Sequence, residues 1–143
     1  MIQRTSRDNG RTPMQWTAGE NAGFSSGKPW LKVNSNHTEV NVETENADPN
    51  GVLAFWKQMI ALRKTHPVLI DGTFRSVYEG RAVYVFAREL NGKTLLSICN
   101  MTGKNAKLPT VVDKNGKLIA CNYQENNIDT LKPFEFRLLE IEK

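Results

Sequence analysis

The sequence predicts an α+β, mainly β chain in which an irregular loop and one helix precede an antiparallel β-sandwich domain. Three observations predict it. Residues 1–47 carry no apolar periodicity and are broken by Gly10, Pro13, Gly19, Gly23, Gly27 and Pro29. Residues 48–66 place apolar side chains at the spacing of a helix face. Residues 73–143 alternate short runs of strand formers with turn residues, the pattern of a sandwich.

Within the loop, Val40-Asn41-Val42 is a candidate short strand, and the sequon Asn36-His37-Thr38 marks a surface position at most. The helix is expected to start at Asp48, whose carboxylate suits the N-cap, with Pro49 at the first helical position. Val52, Phe55, Trp56, Met59, Ile60 and Leu62 make its apolar face, and a face this bulky is expected to be buried. Arg63 and Lys64 complement the C-terminal dipole, and His66 before Pro67 ends the helix. In the β region, Ala82–Arg88 and Thr94–Asn100 read as partners across Asn91-Gly92, the strongest short hairpin signal. Asn115-Gly116 marks a second candidate hairpin before Leu118–Cys121, and Phe134–Ile141 closes the chain as a strand.

With 143 residues, 39% of them hydrophobic and 24% charged, the chain falls in the soluble globular class. The net charge of +4 comes from scattered rather than clustered lysines and arginines, which argues against a nucleic-acid role. Cys99 and Cys121 have no CxxC spacing and no nearby pair of histidines, so a zinc site is not expected and no disulfide is implied. Cys99 lies in an apolar strand pattern and reads as a buried free thiol. The longest apolar run is far too short to span a bilayer, and no signal peptide is visible. His37 and His66 are isolated from any nucleophile.

The chemistry concentrates in Arg7-Asp8-Asn9-Gly10-Arg11-Thr12-Pro13-Met14-Gln15-Trp16, with Asn21-Ala22-Gly23-Phe24 and Lys28-Pro29-Trp30 behind it. Guanidinium forks, amides and indoles suit a polyhydroxylated ligand. The same residues also suit a structural loop with paired arginines and core tryptophans, and spacing alone leaves both readings open. Asp8, tempting as a catalytic carboxylate with Glu20 as acid, precedes Asn9-Gly10 and reads as a turn former. Tyr78, Tyr84 and Tyr123 are candidates for a sugar platform, although strand aromatics more often serve the core.

These strings resemble the stretch after the eighth barrel strand in the α-glucosidases of glycoside hydrolase family 13: oligo-1,6-glucosidases, dextran glucosidases, trehalose-6-phosphate hydrolases and maltases. The resemblance continues through Pro29–Asn34, Val40–Val42 and Asp48–Lys57 to Ile60–Lys64, and becomes general beyond about residue 75. Thr17-Ala18-Gly19-Glu20 departs from an acidic stretch common in such relatives. A complete (β/α)8 barrel needs at least ~200–250 residues, so the resemblance implies a C-terminal fragment. Residues 1–66 would be the barrel tail, with its last loop and helix, and residues 67–143 a C-terminal antiparallel β-domain. The implied activity is exo-acting, retaining hydrolysis of terminal α-linked glucose from short oligosaccharides.

The resemblance further implies that the catalytic carboxylates lie upstream, so that no catalytic residue is present and the chain is inactive alone. Arg11 matches the arginine that reaches the non-reducing-end glucose, and Arg7 is the second substrate-binding candidate. No cofactor and no metal are expected, and the location implied is the cytoplasm. The partner is an α-gluco-oligosaccharide in the full-length enzyme; no nucleic acid or membrane is expected, and homo-oligomerisation through the exposed helix face is. A non-catalytic carbohydrate-binding or structural β-sandwich module is the alternative, favoured by an exposed row of aromatics on one sheet face.

Overall fold

The computed structural model describes residues 7–124, 127 and 129–141, without the side chains of Arg7 and Asn9. The chain divides into two compact units, Met1–Met59 and Ile60–Lys143.

The first unit is built from three 3₁₀ turns, Arg7–Arg11, Glu20–Gly23 and Ser35–Thr38, and a short helix α1, Val42–Ala47. The strand expected at residues 40–42 does not form. Asn41 instead caps α1: its Oδ1 accepts from Thr44 N at 2.9 Å while its Nδ2 donates to His37 O at 2.8 Å. A buried amide with both ends engaged fixes a helix start more firmly than two flanking valines fix a strand.

Helix α2 spans Val52–Thr65, so its first helical residue comes three residues later than the expected Pro49. Asp48 spends its Oδ1 on Asn50 N at 2.9 Å, closing a turn that places Pro49 outside the helix. The first-turn donor Leu53 N goes instead to Glu45 Oε2 at 3.2 Å. At the other end His66 Nδ1 lies 2.9 Å from Leu62 O, and Pro67 follows as expected. The expectation of a buried apolar face fails, because no residue of α2 is buried. The face splits in two: Phe55, Met59 and Leu62 are half-buried, while Val52, Trp56 and Ile60 remain exposed.

The second unit holds a short helix α3, Val68–Asp71, and a five-stranded antiparallel sheet. Its strands are β1 Thr73–Glu79, β2 Val83–Leu90, β3 Lys93–Asn100, β5 Lys117–Cys121 and β7 Phe136–Ile141, in the order β1-β2-β3-β7-β5. A small second sheet pairs β4, Ala106–Lys107, with β6, Thr130–Leu131. Asn91 and Gly92 adopt φ of 50° and 80° and close the β2–β3 hairpin, as their residue types require. Asn115-Gly116 also forms a turn, but not a hairpin. The strand that follows, β5, pairs with β7, and neither residue takes a positive φ. Gly116 serves close approach instead, since a Cβ there would meet Ile141 Cδ1 at 2.5 Å.

The core fills one face of the large sheet. Val83, Val85 and Ala87 of β2, Leu96 and Ile98 of β3 and Leu139 of β7 pack against Leu108, Val112 and Leu131. Strand β2 alternates buried with half-buried residues, whereas β3 is buried at six of its eight positions and at both faces. Both cysteines are free thiols and both are half-buried. Burial pushes the Cys99 thiol above its ordinary value, because desolvation penalises the thiolate.

Candidate functional site

The arginine loop is held by its own polar groups rather than by a hydrophobic floor. Gln15 is the hub: its Nε2 donates to Val40 O, its Oε1 accepts from Asn34 Nδ2 at 3.2 Å, and its backbone O accepts from Val42 N at 2.9 Å. Asn34 Nδ2 also reaches Thr12 Oγ1 at 3.3 Å. Behind this brace, the amides of Trp16 and Thr17 both donate to Ala22 O, at 2.8 and 3.0 Å. That carbonyl is aimed by three consecutive left-handed residues, Asn21, Ala22 and Gly23, with φ of 52°, 58° and 66°. Only the glycine takes this region at little cost; Ala22 does so fully buried. Asn21 anchors the far side through Nδ2 to Ser25 O at 3.2 Å and Gly27 O at 3.4 Å.

On this frame Arg11 closes the 3₁₀ turn Arg7–Arg11 and is exposed. Its guanidinium carbon lies 5.5 Å from the ring centroid of Trp30, a cation–π distance. Trp30 is 78% exposed, so the indole restrains Arg11 without enclosing it. A planar guanidinium fork suits hydroxyls and carboxylates as partners. Sequence reasoning singled out Arg11 but missed Trp30 as its neighbour and Asn34 as the brace. Only the recurrence of Asn and Trp among the loop's glycines and prolines hinted at either. The side chain of Arg7 lies outside the described residues.

The three tyrosines do not form a platform. Tyr123 donates its hydroxyl to Pro133 O at 2.8 Å beneath Lys132, Tyr78 folds over Gly80, and Tyr84 packs on Phe86 with centroids 5.7 Å apart. Phe74 adds to that last pair at 5.5 Å, but the rings are tilted by 33° and 34° and offer no flat surface to a sugar. Among the described residues no group of three or more His, Cys, Asp and Glu could hold a metal ion, and no helix is long and apolar enough to cross a membrane.

Residues 1–72 match the Alpha-amylase family in its part described as the Alpha amylase catalytic domain. The chain belongs to the alpha-amylase family. It is 39% identical to the probable oligo-1,6-glucosidase 2 of Bacillus subtilis (strain 168), over 99% of this chain and 27% of that protein. It is 38% identical to the oligo-1,6-glucosidase of Parageobacillus thermoglucosidasius, over 94% of this chain and 26% of the relative. Among solved structures it superimposes on a trehalose-6-phosphate hydrolase of Bacillus licheniformis with a TM-score of 0.88 and 32% identity, covering 99% of this chain and 27% of that one. An isomaltulose synthase of Protaminobacter rubrum gives 0.86 and 32%, covering 99% of this chain and 27% of that one. The chain thus spans about a quarter of the length of these alpha-amylase-family relatives, and matches their C-terminal part. That part is shared by hydrolases and by an isomaltulose synthase alike, so it does not by itself distinguish their reactions.

Proposed function

We propose that this chain is the part of an exo-acting, retaining α-glucosidase that supplies Arg11 to the pocket for the terminal glucose and carries the C-terminal β-domain. The substrates are short α-linked gluco-oligosaccharides inside the cell, and the chain alone is inactive. Residues 1–66 are the barrel tail and residues 67–143 the β-domain. One observation carries the reading: an exposed guanidinium, restrained by an indole on an internally braced loop, inside the segment that matches an alpha-amylase catalytic domain. A fork of this kind holds a sugar hydroxyl and a carboxylate together and closes the pocket behind a terminal ring. Arg7, at the other end of the same turn, is the second ligand-contacting group. Retention needs two carboxylates about 5–5.5 Å apart, and these come from the upstream barrel.

The test replaces the final quarter of the Bacillus subtilis relative with this chain. The chain alone should release no p-nitrophenol from the α-glucoside, and the chimera should release it. Arg11→Ala in the chimera should lower kcat/KM by about 100-fold, the scale of losing a charge-assisted contact of about 3 kcal/mol. Turnover by the purified chain alone that vanishes in Asp8→Asn would overturn the reading, as would a chimera indifferent to Arg11→Ala.

A further inference from the structure

The sequence holds four Asn-Gly pairs, starting at Asn9, Asn50, Asn91 and Asn115. Glycine has no side chain to hinder attack of its own backbone nitrogen on the preceding side-chain amide, so each pair is open to ring closure in an unfolded chain. The fold treats them differently. The side chain of Asn9 lies outside the described residues. At Asn50 the attacking nitrogen is engaged and poorly placed to lose its proton. Gly51 N donates to Asp48 O at 3.2 Å, and Asp48 Oδ2 and Glu45 Oε2 each stand 3.2 Å from where a Cβ would sit on Gly51. Carboxylates that close oppose a negative charge on the nitrogen. At Asn91 the backbone itself is locked. Asn91 and Gly92 hold φ of 50° and 80° between strands paired down to Leu90 and Lys93. Swinging Gly92 N onto the side-chain carbonyl means opening that turn.

Asn115 is exposed and differently placed. The Asp-Xaa-Asn-Gly string of Asn50 recurs there, with Asp113 Oδ1 accepting from Asn115 N at 2.9 Å. No carboxylate oxygen is among the three atoms nearest a Cβ position on Gly116, which are Ile141 Cδ1, Leu139 Cβ and the backbone oxygen of Glu140. Lys114 and Lys117 flank the pair in sequence, and a nearby cation favours the anionic nitrogen. Lys117 also lines, with Asp113, Glu140 and Ile141, an open polar cleft of about 340 Å³ beside the pair, which admits water. The strand that follows, β5, lies at the edge of the sheet and is bulged between Leu118 and Ala120, so this segment opens cheaply.

We propose that Asn115 is a site of spontaneous deamidation, selected by the fold over Asn50 and Asn91. The nitrogen of Gly116 loses its proton to hydroxide and attacks Cγ of Asn115. The new C–N bond closes a succinimide, the Cγ–Nδ2 bond breaks, and Nδ2 leaves as ammonia with a proton from water, which regenerates the hydroxide. Water then opens either carbonyl of the ring, giving aspartate or isoaspartate, and nothing is oxidised or reduced. The isoaspartyl product carries an extra methylene in the main chain. Gly116 has no room to accommodate it, since a Cβ there would already meet Ile141 Cδ1 at 2.5 Å. The modified chain therefore gives up the pairing of Lys117 with Glu140 that starts β5.

The test stores the 143-residue chain in mildly alkaline buffer, native and in parallel unfolded in urea, and follows aspartyl and isoaspartyl products at each Asn-Gly peptide by mass spectrometry. In the native chain Asn115 should convert about tenfold or more faster than Asn50 and Asn91, because each of those must first open its turn. In urea the three rates should converge, since the turns that protect the other two are gone. Asn115→Gln, a change at an exposed position, should abolish the early product. Amide exchange along β5 should quicken in step with isoaspartate and stay unchanged in the stored Asn115→Gln variant. Asn50 or Asn91 converting as fast as Asn115 in the native chain would overturn the assignment, as would a ratio that urea leaves unaltered. An isoaspartyl chain whose β5 exchanges no faster than before storage would overturn the structural consequence.

Discussion

Replacing Glu135 by Ala should cost the β-domain more than any large-to-small change in its apolar core. Glu135 is fully buried and lies 2.6 Å from Arg137 Nε, with side-chain exposures of 7% for the arginine and 0% for the glutamate. Its second oxygen accepts from Lys132 N at 2.5 Å, and Arg137 Nη2 donates to Thr130 O at 2.6 Å. The pair therefore ties the turn before β7 to the small β4–β6 sheet. Truncating the glutamate leaves a buried guanidinium with no counter-charge and an orphaned backbone N–H, a loss of about 3–5 kcal/mol. A domain of this size has only ~5–15 kcal/mol in total. Taking a urea slope of about 2 kcal/mol/M, the midpoint should fall by about 2 M. Glu135→Gln keeps the shape and one acceptor, and should lose about half as much. The double variant Glu135→Leu with Arg137→Met should recover to within ~1–2 kcal/mol of the parent, because a buried pair and a packed apolar pair are close in worth. Urea unfolding of all four proteins, followed by circular dichroism, decides it. A single Glu135→Ala variant as stable as the parent, or a double variant no better than the single, would refute the reasoning.

Two further perturbations act elsewhere. Ala22→Gly, in most contexts destabilising, should here stabilise the arginine loop by ~1 kcal/mol, since a buried alanine at φ 58° carries left-handed strain that glycine lacks. Slower amide exchange at Trp16 and Thr17, whose N–H groups bond Ala22 O, would register the gain, and faster exchange would contradict it. Cys99, whose pKa is raised by burial, should stay a thiol at pH 8 and react with iodoacetamide more slowly than a free cysteine. Because the folded-state pKa lies above the unfolded one, stability should fall as pH rises through and beyond the unfolded value near 9. Cys99→Ser should flatten that fall, and an unchanged pH profile would remove the thiol from the account.

How much of this was legible in the sequence follows from which forces are local. The Asn91-Gly92 hairpin was legible because both residues need only their own backbone preference to choose it. The Asn115-Gly116 turn was legible as a turn, but its strand partner is set by packing from the far end of the chain, which no dipeptide encodes. The start of α2 was misjudged because Asp48 had a nearer donor in Asn50, and the replacement cap comes from Glu45, eight residues before the amide it holds. Glu135 and Arg137 were invisible for a related reason. Alternation with Phe134, Phe136 and Leu138 assigns two charges to solvent, and only their mutual pairing and the β4–β6 sheet allow them inside. Arg11 was singled out through resemblance, whereas Trp30 beside it was not, since eighteen residues and a run of three positive-φ residues intervene.

The first unit treats its polar and apolar groups in opposite ways, and that contrast bears on how Arg11 acquires its geometry. Gln15, Asn21, Asn34 and Asn41 close their hydrogen bonds within the unit, yet Met14, Trp16, Val52 and Trp56 stay about half exposed or more. If a surrounding barrel were needed to shape the loop, the polar braces would point outward toward it and would stand unsatisfied without it. They do not. The backbone path from Arg7 to Val42 is therefore encoded locally, strain at Ala22 included, while the apolar surface supplies affinity for whatever covers it. Shape comes from the amides and attachment from the hydrophobes, so substitutions in the two sets should separate cleanly. Changes at Asn34 or Gln15 should disturb the aim of Arg11, and changes at Trp56 or Val52 should leave that aim intact.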